Sequence, residues 1–274
     1  MQNQQKNTPV CRHFPCGEGV AQASAPVAVM DSGVGGIGVL REIRALLPNE
    51  ELLYFGDSAN APYGGKPRSE VKELILSHAE RLLERAKALV IACNTATALA
   101  VTELRSRYPK TPIIGMEPAL KPALAVCAQP RVLVLATATT LRERKFVTLL
   151  KRYEVDAHIC CVAAPALVDF VENGAENSPE AAQYLSELLQ PYRASLPDAV
   201  VLGCTHFPFA KASILHALGA DVPLFDGAKG TAKQAQRKLC AAGLLNPSPT
   251  RGAVTFTSSD PRKLGVYAGR LFGE

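Results

Sequence analysis

The chain has 274 residues, of which 47% are hydrophobic and 20% charged, so it can bury a substantial core and is not disordered by composition. Its 20 glycines and 20 prolines follow no Gly-X-Y period, its apolar runs (132–136 and 199–202 among them) are strand-sized, and eight cysteines make a thin disulfide framework, which excludes fibrous, membrane-spanning and secreted disulfide-rich classes. The net charge of +5 is uneven: residues from 229 onward carry eight basic against two acidic side chains, +6, leaving −1 for the rest. A nucleic-acid surface is conceivable there, but the helix-like spacing among apolar residues favours a solvated face.

Residues 1–25 are polar and aperiodic and read as an N-terminal extension without an apolar leader core, which points to the cytoplasm and to reduced thiols. Cys11-x4-Cys16 within it has no second pair to complete a zinc site. Beyond it, short β-branched runs alternate with amphipathic stretches, the pattern of parallel strands joined by crossover helices. In the first half, strands are expected at 27–30, 52–55, 88–92 and 112–115, with helices near 36–47, 69–85 and 96–108. In the second half, strands are expected at 131–136, 156–161, 199–203 and 223–225, with helices near 140–153, 166–172, 179–192 and 208–218. The adjacent Cys160 and Cys161 read as core residues of their strand. A helix at 231–242, a Pro-rich break, a strand at 253–257 and a last helix follow. A lone strand and helix cannot bury their apolar faces, so this tail is expected to return to the first lobe.

The halves look like a diverged repeat. Each third strand ends in a cysteine, Ile91-Ala92-Cys93-Asn94-Thr95 and Leu202-Gly203-Cys204-Thr205-His206. The interval from the end of the first strand to the cysteine is 62 residues in one half (31 to 93) and 67 in the other (137 to 204). The expected fold is α/β: two similar lobes, each a mostly parallel sheet flanked by helices, with the active site between them. Lobe 1 is assigned residues 26–118 and 231–274, and lobe 2 residues 119–230.

Ligands of open parallel sheets bind beyond the carboxyl ends of the strands, where Asp31, Ser32, Cys93, Thr137 and Cys204 all fall. One such cysteine is most simply a small buried residue; two at equivalent points of facing lobes suggest more. Inverting a tetrahedral carbon requires taking a proton from one face and delivering one to the other, which two flanking bases do with little motion. Thiols suit the task because their reference pKa lies near neutrality. Asp31 is a candidate partner for Cys93 and His206 for Cys204, and the helix following Cys93 favours thiolate through its dipole. The loop Asp31-Ser32-Gly33-Val34-Gly35-Gly36 does not match a dinucleotide fingerprint, although its backbone N–H groups could bind a carboxylate. Residues 56–65 read as a lid over the site, and His13, His78, His158 and His216 show no partner pattern. Zinc on Cys93, Cys204 and His206 would lack a fourth ligand.

Four motifs together, Asp31-Ser32-Gly33-Val34-Gly35-Gly36, Tyr54-Phe55-Gly56-Asp57 leading to Pro62-Tyr63-Gly64, Cys93-Asn94-Thr95-Ala96 and Gly203-Cys204-Thr205-His206-Phe207-Pro208, resemble those of the cofactor-independent glutamate racemases of bacterial cell-wall synthesis. The resemblance implies that Cys93 and Cys204 are the two bases, that Asp31 and His206 tune them and that Glu172 assists. It also implies substrate contacts at Ser32, Tyr63, Gly64, Asn94, Thr95, Thr137, Thr140 and Thr205, with neither pyridoxal phosphate nor metal. It further implies glutamate as substrate and, from the N-terminal extension, a wall-precursor nucleotide as activator; a homodimer is expected, and the short apolar runs and the solvated basic face leave no membrane or nucleic-acid partner. The chain departs from the family at Ala164-Pro165 (commonly Cys-Pro), Phe207 (often Tyr) and Ala136 (usually Gly). None of these removes a base. The alternatives are an aspartate or hydantoin racemase, a non-catalytic two-lobed binding protein, and a regulatory protein acting on nucleic acid.

Overall fold

A computed structural model describes residues 23–153 and 157–273; the expectations for residues 1–22 and for Asp156 lie outside the described residues. Strand β1 (Val27–Asp31) is buried along its whole length. Its alternate residues serve two cores: Val27 and Val29 face one, Ala28 and Met30 the other. This is why the strand reads as a continuous apolar run with no polar face. It lies at the middle of a five-stranded parallel sheet of order β4-β3-β1-β2-β9, formed with β2 (Leu52–Gly56), β3 (Ala88–Ile91), β4 (Ile113–Gly115) and β9 (Val254–Ser258). The first core is closed by α1 (Ile37–Leu46), α10 (Ala228–Ala241) and α11 (Leu264–Phe272), the second by α2 (Arg68–Leu83) and α3 (Asn94–Arg107).

The second sheet, of order β6-β5-β7-β8, is also parallel: β5 (Arg131–Ala136), β6 (His158–Ala163), β7 (Ala199–Leu202) and β8 (Leu224–Asp226). Helices α7 (Pro165–Glu172), α8 (Pro179–Leu189) and α9 (Lys211–Leu218) pack on Leu133, Leu135, Val200 and Leu202. The short helix α4 (Leu120–Ala123), together with Phe146, packs on Val132, Val134, Ala199 and Val201 of the other face. With β5 through β8 standing for β1 through β4, both sheets have the same strand order, so the repeat in the sequence is a repeat in space. β9 adds a strand beside β2 in the first sheet only.

Three expectations are corrected. Cys160 and Cys161 are exposed, because β6 is an edge strand; an apolar run does not tell an edge from a centre. The helix expected at 140–153 is two, α5 (Ala138–Arg142) and α6 (Arg144–Lys151). Between them Glu143 is extended (φ −71°, ψ 133°) and its buried carboxylate meets the Arg68 guanidinium at 2.8 Å. The basic C-terminal stretch is not wholly solvated, since the Lys263 and Arg270 side chains are 21% and 15% exposed and turn toward α7.

Candidate active site

The carboxyl ends of β1, β3, β5 and β7 converge between the lobes. Asp31, ending β1, is 1% exposed. Its Oδ1 accepts the Gly33 N–H at 3.0 Å, and its Oδ2 accepts the Thr205 hydroxyl of the opposite lobe at 3.0 Å. Burial raises its pKa, with the nearby His206 opposing.

Cys93 follows β3 and caps α3, its Sγ accepting the Ala96 N–H at 3.5 Å. Burial, reinforced by the Asp31 charge, pushes this thiol up to about 12, against the capping N–H and a Ser32 hydrogen bond. The helix dipole is therefore outweighed, and Cys93 rests as a thiol. The charge of Cys204 also bears on it, so the two sulfurs lie within electrostatic reach of one another. Asp31 reaches Cys93 through its field; its hydrogen bonds go to Gly33 and Thr205.

Cys204 follows β7 after Gly203, where a side chain would meet the Cβ of Ala136 at 3.0 Å. Its Sγ lies 3.7 Å from His206 Nδ1, and His206 Nε2 lies 2.6 Å from Glu172 Oε1. A thiol, an imidazole and a carboxylate thus stand in series, the arrangement by which a base is oriented and its proton relayed. Burial works against the imidazolium, but hydrogen bonds with Cys204 and Glu172 outweigh it and hold His206 well above its ordinary value. Burial likewise opposes the Glu172 carboxylate, yet His206, the Val34 N–H and Lys263 lower its pKa overall.

The glycine loop does bind a carboxylate, that of the protein itself: the Val34 N–H donates to Glu172 Oε1 at 2.7 Å. Its glycines admit the opposite lobe. A Cβ on Gly33 would lie 1.8 Å from Glu172 Oε1, and one on Gly35 would lie 2.5 Å from His206 Nδ1.

Of the expected substrate contacts, Thr95, Thr137 and Thr140 form a hydroxyl triangle with edges of 3.1, 3.2 and 2.9 Å that joins the lobes. Gly64 sits against it, its carbonyl accepting the Thr139 hydroxyl at 2.9 Å. Asn94 is buried, and neither of its amide atoms finds a hydrogen-bond partner among the described residues, so it presents a donor and an acceptor to the site. It also lines a cavity of about 360 Å³ with Thr97, Glu117, Thr140, Arg144 and Arg152. Tyr63 is placed differently from a simple contact, because its hydroxyl donates to Asp57 Oδ2 at 2.7 Å and its carbonyl accepts the Lys66 N–H at 3.3 Å.

Asp57 and His78 were not singled out by sequence reasoning, and the reading of His78 as partnerless is corrected: its Nε2 lies 3.1 Å from Asp57 Oδ2. Burial would raise the Asp57 pKa, but hydrogen bonds from His78, Ser259, Tyr63 and Asn60 bring it down to about 2. Asp57 closes the quoted motif Tyr54-Phe55-Gly56-Asp57, though without an assigned role; its partner on α2 is 21 residues away, with no local signal. Among the described residues, no group of three or more His, Cys, Asp or Glu side chains could hold a metal ion, and no helix is long and apolar enough to cross a membrane.

A family profile for Asp/Glu/hydantoin racemase matches residues 37–235. The chain is 46% identical to the glutamate racemase of Ectopseudomonas mendocina (strain ymp) over 255 residues, 92% of this chain and 97% of that one. Among solved structures it resembles glutamate racemase isoform RacE1 of Bacillus anthracis, with a TM-score of 0.82 and 30% identity over 92% of this chain and 96% of that one. It also resembles Escherichia coli glutamate racemase in complex with L-glutamate and the activator UDP-MurNAc-Ala, with a TM-score of 0.76 and 29% identity over 90% of this chain and 95% of that one. Two parallel lobes in repeat, a cysteine at the same strand end of each, and relatives matched over nearly their whole length lead to one conclusion: the chain belongs to the Asp/Glu/hydantoin racemase family, in its glutamate racemase branch.

Proposed function

We propose that the protein interconverts L- and D-glutamate by proton transfer at Cα between two cysteine bases, without a cofactor. The observation that carries this is the placement of Cys93 and Cys204 at equivalent ends of β3 and β7. Both are buried at the meeting of the lobes, each with its own acid–base company. One cysteine, as its thiolate, takes the α-proton from one face while the other, as its thiol, supplies a proton to the opposite face, so one sulfur gains the proton the other loses, and the roles reverse for the mirror-image substrate. His206 receives or returns the Cys204 proton, with Glu172 holding its ring; Asp31, whose charge favours the thiol form of Cys93, receives or returns the Cys93 proton. Ser32, Asn94, Thr95, Thr137, Thr140, Thr205 and the Tyr63–Gly64 turn offer the hydroxyl, amide and backbone groups that an amino acid's carboxylates and ammonium require.

In this reading lobe 1 (26–118 with 231–274) and lobe 2 (119–230) close on the substrate. The product serves peptidoglycan synthesis in the cytoplasm, and the working form is a homodimer. The activator of the E. coli relative suggests that a wall-precursor nucleotide regulates this chain too; the Arg144 and Arg152 guanidinium groups on the cavity wall would suit an anionic ligand.

The direct test is racemisation of L-glutamate followed by circular dichroism in deuterated water, with purified protein and no added cofactor. Deuterium should enter Cα with every inversion, and retention of protium would refute two-base transfer. Cys93→Ala and Cys204→Ala should each reduce turnover at least a thousandfold, and near-normal turnover in either defeats the assignment. Aspartate and hydantoins assayed alongside test the other chemistries of the family.

A further inference from the structure

We propose that Lys263, on the C-terminal segment of lobe 1, is a positioning residue that holds the Glu172 carboxylate of lobe 2 against His206, an inference that rests on the two-base reading above. Lys263 ends a 3-10 turn (Pro261–Lys263) after β9, outside the span matched by the family profile. Its Nζ donates to the Glu172 backbone carbonyl and lies 3.8 Å from Glu172 Oε2.

Glu172 is the last residue of α7, where the unsatisfied carbonyls give the helix a negative end that repels a carboxylate. A carboxylate kept there needs a compensating cation, and among the described residues lobe 2 supplies only the His206 ring that Glu172 is meant to serve. Everything else that holds this carboxylate comes from lobe 1: the Val34 N–H at 2.7 Å, the Ser58 hydroxyl at 3.2 Å and Lys263. Arg270, one helix further on, donates to the Val171 carbonyl at 3.1 Å and meets Glu176 at 2.9 Å, so the same segment grips the end of α7 twice. Among the described residues, the ion-pair partners of this carboxylate are His206 and Lys263, and the neighbouring Asp31, Tyr54 and Tyr267 bring no positive charge to it. Lys263 is therefore the one lobe 1 cation directed at this carboxylate among the described residues, and its grip is made only while the lobes are together.

The test uses the full chain with Lys263→Gln, Lys263→Met and Lys263→Arg, reading kcat and KM for both glutamate enantiomers across pH. The expected result is a kcat about tenfold lower in K263Q and K263M with KM changed less than threefold. The acid limb of kcat should move to higher pH, because without the ammonium Glu172 protonates sooner, and K263R should restore both. A surface ion pair of structural value alone would lower thermal stability without moving the pH limb. That outcome, a kcat within twofold of the unaltered chain, or failure of K263R to rescue overturns the proposal. Should K263Q fail to fold, K263M, which keeps the apolar stem, gives the same readings. An unaltered chain that does not racemise glutamate would instead refute the two-base reading itself.

Discussion

Gly33→Ala separates the relay from the fold. A methyl group at this position would lie 1.8 Å from Glu172 Oε1 and 2.6 Å from its Cδ. Relaxing that contact to an ordinary carbon–oxygen separation of about 3.3 Å requires the carboxylate to retreat by about 1.5 Å. A shift of that size breaks both of its short bonds, 2.7 Å to the Val34 N–H and 2.6 Å to His206 Nε2. Hydrogen bonds to charged groups contribute about 1.5–3 kcal/mol each, so losing the His206 bond alone should lower kcat/KM about ten- to a hundredfold. The group that yields is the end of a flexible side chain, so the backbone keeps its place and the cooperative unfolding transition should be retained. Gly38→Ala, in α1 with nothing within 4 Å, is the matched control and should retain full activity. Racemisation kinetics by circular dichroism and thermal unfolding on both variants decide the matter. A G33A enzyme within threefold of the parent, or one whose loss of activity is matched by a collapse of stability, would refute the reasoning.

Two further outcomes follow from groups off the reaction path. Asp57 is depressed from 3.8 to about 2 in the fold, so its ionised form stabilises the protein above the unfolded pKa. That contribution, about 2 kcal/mol, should disappear as pH falls through the window from about 4 to about 2. Urea unfolding should show Asp57→Asn losing its stability deficit over this window, and a deficit independent of pH would count against the assignment. Lys87 and Glu50 form an ion pair with 0% and 2% side-chain exposure at the end of the first sheet remote from the cysteines. Lys87→Met should destabilise by about 3–5 kcal/mol in denaturant melts while leaving kcat unchanged, because it strands a buried carboxylate; a loss below about 1 kcal/mol would contradict this.

The strands were legible to within two residues wherever described, because parallel strands covered on both faces carry unbroken apolar runs. The matched positions of Cys93 and Cys204 were legible for a related reason: the duplicated unit keeps its chain intervals, and strand ends fall at predictable points. Solvent exposure was not legible, and Cys160 and Cys161 show why, since nothing in a strand's own residues says that it will lie at an edge. Long-range polar pairing was equally hidden. Glu143 breaks a helix to meet Arg68, His78 of α2 finds Asp57 just past the end of β2, and Lys263 crosses between lobes to Glu172. Each pairing depends on where distant segments come to rest, information that periodicity does not carry. Glu172 itself entered only through family resemblance; its contact with the glycine loop explains physically why Gly33 has no side chain.

The two sulfurs do not stand in equivalent surroundings: one has an imidazole and a carboxylate behind it, the other a carboxylate's field and a hydroxyl. Left- and right-handed amino acids are equal in energy in water, so thermodynamics requires the same specificity constant in both directions. Any inequality in turnover number between the two hands must then be offset by an equal inequality in KM. A duplicated scaffold can share out the work unevenly, but it cannot favour either hand at equilibrium.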